Sequence, residues 1–277
     1  MTATAISIIT PSFNQGGYLE STIQSVLAQN YPNTEHIIID GGSTDGTLAI
    51  LQQYSQYLTW LSEPDEGQAQ AINKGLRQAG GEIVAWLNSD DIYWPGALPA
   101  VADFFSAHPA IDIIYGDYDL IDEQGKILLR KREIPFDYDI LLYGLNYIGQ
   151  PATFFRRRVL ERFGYLDENL HYGLDWEYWL RVASGGGQFA HLPRYLAATR
   201  IHTAAKTIVA PPQMYAEHRA IQSRYWTARR FESPRWQRFY ASLLRTGYRA
   251  KRQLKKLLLR RTIDFPPANW VMNSTRR

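Results

Sequence analysis

Two adjacent carboxylates, Asp90 and Asp91, closely follow the apolar run 83–87, separated from it only by an amide and a hydroxyl residue. The run is too short for a helix and rich in strand-forming residues, so it predicts a buried strand that ends in acids. In an open α/β sheet, ligands bind beyond the carboxyl ends of the strands, where paired carboxylates are costly unless a cation neutralises them. The pattern therefore predicts a metal or nucleotide site. An Asp-rich turn capping a helix that begins near Pro95 is the structural alternative.

Polar side chains also close two earlier predicted strands. The strand at 6–10 leads into Ser12 and Asn14, and the strand at 36–40 ends in Asp40. Parallel strands bring their carboxyl ends to one edge of a sheet, so these side chains are expected to lie near the acid pair.

A further acid, Asp175, stands at the start of a predicted helix with Trp176, Trp179 and Leu180 as its buried stripe. An acid in the first helical turn is stabilised by unpaired backbone amides, so a structural role is one interpretation. The functional interpretation is a general base, because desolvation in an aromatic pocket raises the basicity of a carboxylate. Glu177 lies on a different face of the helix and ranks below Asp175.

His202 closes the predicted strand 195–202 and precedes the polar stretch 203–207. A single histidine is more often structural than a ligand. Its position after a strand gives contact with a metal ion or a phosphate as the functional interpretation.

The elements that must position these residues alternate along the chain. Strands are predicted at 6–10 (ended by Pro11), 36–40, 59–62, 83–87 and 111–117, with helices between them, a hairpin at 118–132, an apolar segment at 148–155 and a helix from 156 to 164. Three successive βα units favour a mainly parallel sheet with right-handed crossovers.

Composition excludes several classes. The chain of 277 residues has no cysteine, which excludes disulfides and thiolate sites and fits a cytoplasmic protein. No apolar stretch approaches the length of a membrane span, and the N-terminus does not have a signal-peptide pattern. A Gly-x-Gly-x-x-Gly motif and a Walker lysine motif are both missing, so neither a dinucleotide-binding oxidoreductase nor a P-loop enzyme is expected.

Charge is distributed unevenly. Residues 1–216 carry 14 Lys/Arg and 24 Asp/Glu, whereas residues 217–277 carry 16 and 3, which leaves a net charge of +3. An acidic body with a basic tail indicates that the tail meets a polyanion. The tail carries no recognition module for nucleic acid, so nucleic acid is not an expected partner.

Long helices are predicted after the two prolines at 211–212, and Ser233 reads as the cap of one that begins at Pro234. Apolar residues recur there at helical spacing: Trp236, Phe239, Tyr240, Leu243, Leu244, Leu254, Leu257 and Leu258. The other faces carry eight cations: Arg235, Arg238, Arg245, Arg249, Lys251, Arg252, Lys255 and Lys256. Such a helix either packs on the acidic body or lies on an anionic membrane surface.

Four segments resemble, in order, the motifs of family 2 glycosyltransferases: 8–14, 39–47, 65–75 and 87–91. The likeness covers about residues 5–207, and the motifs are specific jointly although each is weak alone. It implies a GT-A fold, an inverting hexosyl transfer, a UDP-, GDP- or dTDP-sugar donor, and Mg²⁺ or Mn²⁺. The domains expected are 1–210, with a donor half at about 1–117 and an acceptor half at about 118–210, and a helical basic extension at 211–277.

The motif matches imply a role for each site residue. The donor site is expected to contain Pro11, Ser12, Asn14, Asp40, Ser43, Asp45, Asp65, Gly67, Lys74, Asn88 and Ser89. Asp40 would bond the base or ribose. Asp90 would be the main metal ligand with Asp91 beside it, and His202 matches a histidine that contacts metal or diphosphate. Asp175 matches the catalytic base.

Two positions depart from the family pattern. Asn88 stands where many members have the first Asp of a DxD element, and Leu174 stands where a Glu often precedes the base. The first change is expected to weaken metal or ribose contacts, and the second to remove a neighbour that helps bind the acceptor.

The expected reaction moves a sugar to a hydroxyl of a saccharide or lipid-linked acceptor in cell-envelope or exopolysaccharide assembly. Two rivals remain at this stage: a non-catalytic nucleotide-sugar-binding or membrane-associated protein on the same scaffold, and a nucleotidyltransferase. The second would need a basic glycine-rich loop after the first strand, and this sequence has none.

Overall fold

The computed structural model describes residues 4–203, 205, 212–226 and 234–259. Its strands are β1 (Ile6–Ser12), β2 (Thr34–Asp40), β3 (Thr59–Ser62), β4 (Ile83–Trp86), β5 (Ile92–Tyr93), β6 (Ile113–Ile121), β7 (Ile127–Lys131), β8 (Thr153–Arg156) and β9 (Phe189–Arg200). Its helices are α1 (Leu19–Leu27), α2 (Thr47–Gln53), α3 (Gln68–Gln78), α4 (Ala97–Ala107), α5 (Arg158–Phe163), α6 (Leu174–Ser184), α7 (Pro212–Tyr225) and α8 (Pro234–Leu258). A π-helical turn spans Ile140–Gly144 and a 3-10 turn spans Gln150–Ala152.

These strands form one sheet in the order β3-β2-β1-β4-β8-β6-β9-β5, with β7 added beside β6. Strands β3, β2, β1 and β4 are parallel, and β8 runs antiparallel to both of its neighbours. The parallel part follows from the three βα units, because each crossover helix returns the chain to the same end of the sheet. The prediction of a mainly parallel α/β sheet flanked by helices is confirmed.

Several predicted element boundaries were wrong by a few residues, and two of them bear on the site. Strand β1 continues through Pro11 to Ser12, and Pro11 stands opposite Ile39 of β2. Strand β9 begins at Phe189 and ends at Arg200, because it follows β6 along most of its length. His202 therefore lies just beyond the strand rather than within it.

Aromatic packing joins the sheet to α6. The Trp86 ring at the end of β4 stacks on the Trp179 ring at 5.3 Å with 18° between the planes, and Phe155 meets both rings edge-on. All three side chains are almost fully buried. The predicted buried stripe of α6 is thus confirmed, and it fixes the start of that helix close to the end of β4.

The basic C-terminal helix is present, and its cationic side faces the body. The side chains of Arg252 and Lys256 are buried, and their terminal nitrogens lie against the carboxylate of the buried Glu133. The predicted packing on the acidic body is therefore seen, but through cations rather than through leucines.

Within the described ranges, none of the helices combines the length and apolar character needed to span a bilayer. Lys206, Thr207 and the predicted cap Ser233 lie outside the described residues.

Candidate active site

The segment after β4 is held by a polar network centred on Asn88. Its amide nitrogen donates to Asp91 Oδ2 at 3.1 Å and to Gln150 Oε1 at 3.2 Å, and its Oδ1 accepts from Gln68 Nε2 at 2.8 Å. Gln150 also donates to the Trp86 carbonyl at 2.6 Å. An amide can both donate and accept, so Asn88 connects the first residue of α3 to the acidic turn in a way that an Asp could not.

Asp91 is buried, and both of its carboxylate oxygens accept hydrogen bonds from other residues of the protein. Its Oδ1 accepts the backbone N–H of Arg200 at 3.0 Å, and Oδ2 accepts from Asn88. Burial, together with the charge of Asp90, raises the pKa of Asp91 well above its usual range. Asp91 thereby secures the turn to β9, and its placement beside Asp90 at a metal ion stays a prediction. Ser89 belongs to the same turn, and its carbonyl accepts from the hydroxyl of Thr22 at 2.9 Å.

Asp90 and His202 are brought together. The imidazole Nε2 lies 2.9 Å from Asp90 Oδ2, and the Asp90 side chain remains partly exposed. Among the described residues, no cluster of three His, Asp or Glu side chains has the geometry of a metal site. The protein therefore offers one carboxylate and one imidazole here, with Asp91 turned away.

Arg200 is a site residue that the motif analysis missed. Its guanidinium is buried, donates to the Asp90 carbonyl at 3.0 Å and lies over the Tyr18 ring, which in turn packs on His202 at 4.8 Å. A cation only two residues before the site histidine was a signal in the sequence that could have identified it.

The loops after β1 and β2 are joined by hydrogen bonds. The Asn14 backbone N–H donates to Ser43 Oγ at 2.7 Å, and Asn14 Oδ1 accepts from the Thr44 amide at 2.9 Å. Asp45 accepts from the amides of Gly16 and Thr47, both at 2.9 Å. Asn14 has a φ of 52°, which Asn tolerates better than most residues. These predicted donor residues shape the loops at the sheet edge.

Asp40 is completely buried at the end of β2. Its carboxylate accepts from the Ser43 amide at 2.9 Å, the Ser43 hydroxyl at 2.5 Å and the Ser62 hydroxyl at 2.7 Å. Beside it, the Ser12 hydroxyl is buried and has no hydrogen-bond partner among the described residues. A buried hydroxyl without a partner is costly, so Ser12 marks a place where a ligand would restore a hydrogen bond.

The third motif forms the start of α3. Asp65 Oδ1 accepts from the Gly67 amide at 2.9 Å, and a Cβ at Gly41 would stand only 2.7 Å from Asp65 Oδ2. Gly41 is therefore needed for this close approach. Gly67 has a φ of 135°, which strongly favours glycine. Lys74 lies further along α3 and pairs with Glu63 at 2.7 Å, on a partly exposed surface.

Asp175 lies in the first turn of α6, as predicted. Its half-buried carboxylate accepts from Asn146 Nδ2 at 2.9 Å. Burial raises the pKa of Asp175; hydrogen bonds from the Trp176 amide and Asn146, and the nearby His218, oppose that rise without cancelling it. The result is a carboxylate of increased basicity, which is the property that a general base needs.

The carboxylate of Glu177 is already bound by two other side chains. It is buried, pairs with Arg181 at 2.8 Å and accepts from the Tyr225 hydroxyl at 2.5 Å. These bonds link α6 to α7 and leave Asp175 as the better placed acid.

Helix α7 supports the start of α6, which the sequence did not predict. The Glu217 carboxylate accepts three consecutive backbone amides, from His171 at 2.9 Å, Tyr172 at 2.8 Å and Gly173 at 2.6 Å. A carboxylate in such a nest of amides neutralises the positive end of the helix that carries Asp175. No local motif could have revealed Glu217, because it lies more than forty residues along the chain.

A chain of contacts joins these groups into one site. Gln68 at the start of α3 bonds Asn88 after β4, and Gly67 lies beside the His171 ring in the loop that leads to α6. Trp86 and Trp179 tie that helix to β4. The helix with the predicted base is therefore packed against the strand that leads into the acidic turn.

Solved structures define the fold class. A fragment of S. aureus TarS (1–349) in complex with UDP-GlcNAc matches with a TM-score of 0.67 at 19% identity, over 88% of this chain and 71% of that one. The mannosyltransferase PcManGT from Pyrobaculum calidifontis, in complex with GDP-Man and Mn²⁺, matches with a TM-score of 0.62 at 19% identity, over 94% and 79%. The fold is the GT-A type.

The sequence comparisons give the family. Residues 7–164 match Glycosyl transferase family 2. An uncharacterized glycosyltransferase of Rickettsia typhi is 31% identical over 228 residues, or 79% of this chain and 70% of its own length. The putative teichuronic acid biosynthesis glycosyltransferase TuaG of Bacillus subtilis is 40% identical over 125 residues, which is 43% of this chain and 49% of TuaG. The chain belongs to glycosyl transferase family 2, and its activity is glycosyl transfer.

Proposed function

We propose that this protein transfers a sugar from a nucleotide-diphosphate donor to a hydroxyl of a saccharide or lipid-linked acceptor, with inversion at the anomeric carbon. The observation that carries this proposal is the position of Asp175, a carboxylate of raised pKa in the first turn of the helix whose Trp179 stacks on Trp86 at the end of β4. The nucleotide sugars bound by the TarS fragment and PcManGT support the choice of donor.

The donor would lie along the ends of the parallel strands. Ser12 supplies a buried hydroxyl in need of a partner, and Asp40 with Ser43 forms the floor beside it. The other proposed donor residues are Pro11, Asn14, Asp45, Asp65, Gly67, Lys74, Asn88 and Ser89.

A divalent cation fits the diphosphate end of this site. Mg²⁺ is commonly held by one or two protein ligands, with substrate phosphates completing its shell. Asp90 and His202 provide a carboxylate and an imidazole 2.9 Å apart, a donor set that suits Mg²⁺ or Mn²⁺. The proposed role of Asp91 is to secure the turn that presents Asp90. When bound, the ion would supply positive charge that stabilises the departing diphosphate.

Asp175 would take the proton from the attacking hydroxyl. The alcohol approaches the anomeric carbon from the face opposite the diphosphate; one sugar–oxygen bond forms as the other breaks, so the configuration inverts. Asn146 donates to Asp175 Oδ2 and so helps to orient the carboxylate. The nucleoside diphosphate leaves with the electron pair of the broken bond.

The relatives support a role in cell-envelope or exopolysaccharide assembly, since TuaG is named for teichuronic acid biosynthesis. The acidic body and the basic segment 217–277 support a cytoplasmic location at the inner face of the cell membrane.

Calorimetric titration with a panel of UDP-, GDP- and dTDP-sugars, with Mn²⁺ or with EDTA, tests the donor. Saturable binding to one donor that weakens in EDTA is expected. Transfer to saccharide acceptors, followed by NMR of the product's anomeric proton, then tests inversion. Binding without hydrolysis or transfer would instead support a nucleotide-sugar-binding protein, and retained anomeric configuration would contradict the role given to Asp175.

A further inference from the structure

Helix α8 has two chemically distinct faces, and Arg252 and Lys256 on the cationic face are buried against the body. Between residues 234 and 258 it carries eight Lys/Arg and no acid. Arg252 donates to both oxygens of Glu133 at 2.7 Å, and Lys256 lies 3.7 Å from the same carboxylate. Lys251 and Lys255 both pair with Asp137, at 3.0 and 2.5 Å.

The same docking leaves the apolar face of α8 exposed to solvent. The side chains on this exposed apolar face are Trp236, Phe239, Leu243, Leu254, Leu257 and Leu258, and each is more than half exposed. At about 1.5 Å per residue, the face is about 33 Å long. Six exposed large apolar side chains along one side of a charged helix indicate a binding partner.

Charge decides between two occupants of this face. The docked helix keeps a net positive charge, because it has eight cations and no acid, and four of these cations pair with the two carboxylates Glu133 and Asp137. A second copy seated on the apolar face would bring two such helices together, and their like charges would repel. An anionic bilayer offers both an apolar interior and an attractive surface.

We propose that the exposed apolar face of α8 inserts into the interface of an anionic membrane. This reverses the simplest expectation for a basic amphipathic helix, because cations that would meet lipid phosphates are instead bound to Glu133 and Asp137. The apolar side chains then supply most of the attachment, and the remaining positive charge selects anionic lipid.

The docked helix also lies next to the proposed acceptor side. The Tyr248 ring stacks on Tyr143 at 5.4 Å, and Arg249 Nε donates to the Gly144 carbonyl at 3.3 Å. The chain reaches Asn146, the partner of Asp175, two residues later. Helix α8 would therefore lie between a bilayer on its exposed apolar face and the loop that carries Asn146. The proposed membrane docking does not depend on the proposed glycosyl transfer. Only its connection to a lipid-linked acceptor rests on that proposed function.

Sedimentation with vesicles tests the proposal on the full chain. Vesicles of phosphatidylglycerol and phosphatidylcholine in equal parts are compared with vesicles of phosphatidylcholine alone. The parent protein should bind the anionic vesicles more strongly and keep part of that binding in high salt. The double variant Leu254→Gln/Leu257→Gln should bind at least about tenfold more weakly, because two apolar side chains no longer leave water.

A matched control removes two exposed apolar side chains elsewhere, with Tyr57→Gln/Leu128→Gln. It should bind vesicles like the parent protein. Circular dichroism and calorimetric donor binding should be unchanged in both double variants, which separates loss of docking from loss of fold or of the proposed donor site.

Three results would overturn the inference. One is equal vesicle binding by the parent and the Leu254→Gln/Leu257→Gln variant. Another is attachment that high salt abolishes completely, which would assign it to cations alone. The third is a dimer in sedimentation velocity that this variant disrupts while the parent ignores both kinds of vesicle.

Discussion

Asp175 combines two properties at the residue scale: a basicity raised by burial and a hydrogen bond from Asn146 to its Oδ2. Replacing it with Asn keeps the shape and the contact with Asn146 but removes the site that accepts a proton. Turnover should fall by roughly 10²–10⁴ while donor affinity stays near that of the parent. Steady-state rates and donor calorimetry measure the two effects.

Glu177→Gln is the control for Asp175→Asn, because Glu177 is the neighbouring acid on α6 and is bound to Arg181 and Tyr225. A parental rate in Asp175→Asn, together with a collapse in Glu177→Gln, would transfer the role of base to Glu177.

The raised pKa of Asp175 also sets a pH dependence. The base must be ionised, so turnover should be present above its pKa and lost as pH falls through it. The acid limb should be centred above the unperturbed value of 3.8 and should vanish from the residual rate of Asp175→Asn. Rates at saturating donor across acid pH give the midpoint, and a limb at or below 3.8 would assign it to another carboxyl.

The same shift has a consequence for stability. A carboxyl whose pKa is raised on folding costs free energy at pH values above that pKa, because the unfolded chain ionises more readily. Asp175→Asn should therefore unfold at an equal or higher urea concentration at pH 7. A clear loss of stability would show that the carboxylate is a structural residue.

Asp90 is the other residue with a direct test. Asp90→Asn removes the negative charge that faces His202 and the proposed cation, so donor binding in Mn²⁺ should weaken towards the value in EDTA. Calorimetry with and without EDTA separates metal-dependent from metal-independent affinity. If the metal-dependent part is unchanged, Asp90 does not bind the ion.

At the scale of elements, the start of α6 depends on α7. Glu217→Gln replaces a carboxylate that accepts three backbone amides by a group with a single acceptor oxygen. The free energy of unfolding should fall on the order of 1–3 kcal/mol, and turnover should fall more than donor affinity, since the base loses its support. Urea unfolding and steady-state kinetics measure these changes.

Glu161→Gln on the exposed face of α5 makes the same chemical change where no such nest exists. It should leave stability and turnover unaltered. Equal behaviour of the two variants would remove Glu217 from the support of α6.

At the scale of the whole molecule, the chain's C-terminal helix is joined to the body by a buried ion pair. Glu133 is fully buried and its pKa is raised by that burial, although Arg252 and Lys256 oppose the rise. Arg252→Met should cost on the order of 3–5 kcal/mol, because it removes the closest partner of a buried charge. The double variant Glu133→Gln/Arg252→Met should recover part of the loss.

Urea unfolding of the two single variants and the double variant gives the coupling energy. Additive effects would show that the two side chains do not stabilise each other and that α8 is held by other contacts.

Much of the protein was determined by local sequence. The alternation of short apolar runs and amphipathic segments predicts the parallel part of the sheet, because both periods depend only on neighbours along the chain. The end of β2 at Asp40 and the first-turn position of Asp175 follow from the same patterns and were correctly placed, whereas β1 runs two residues further than predicted. The hairpin of β6 and β7 was also predicted, since its turn residues are local.

Tertiary structure decided which of these groups face a ligand. Asp90 and Asp91 are equivalent in sequence, yet the amide of Arg200 holds one of them inward and leaves the other beside His202. Glu217 supports a helix more than forty residues away, and a local pattern cannot encode that pairing. Helical spacing separates the two faces of α8, but it does not show which face is buried. Glu133, more than a hundred residues earlier, decides that, because a buried carboxylate requires a cation and so turns the apolar face outward.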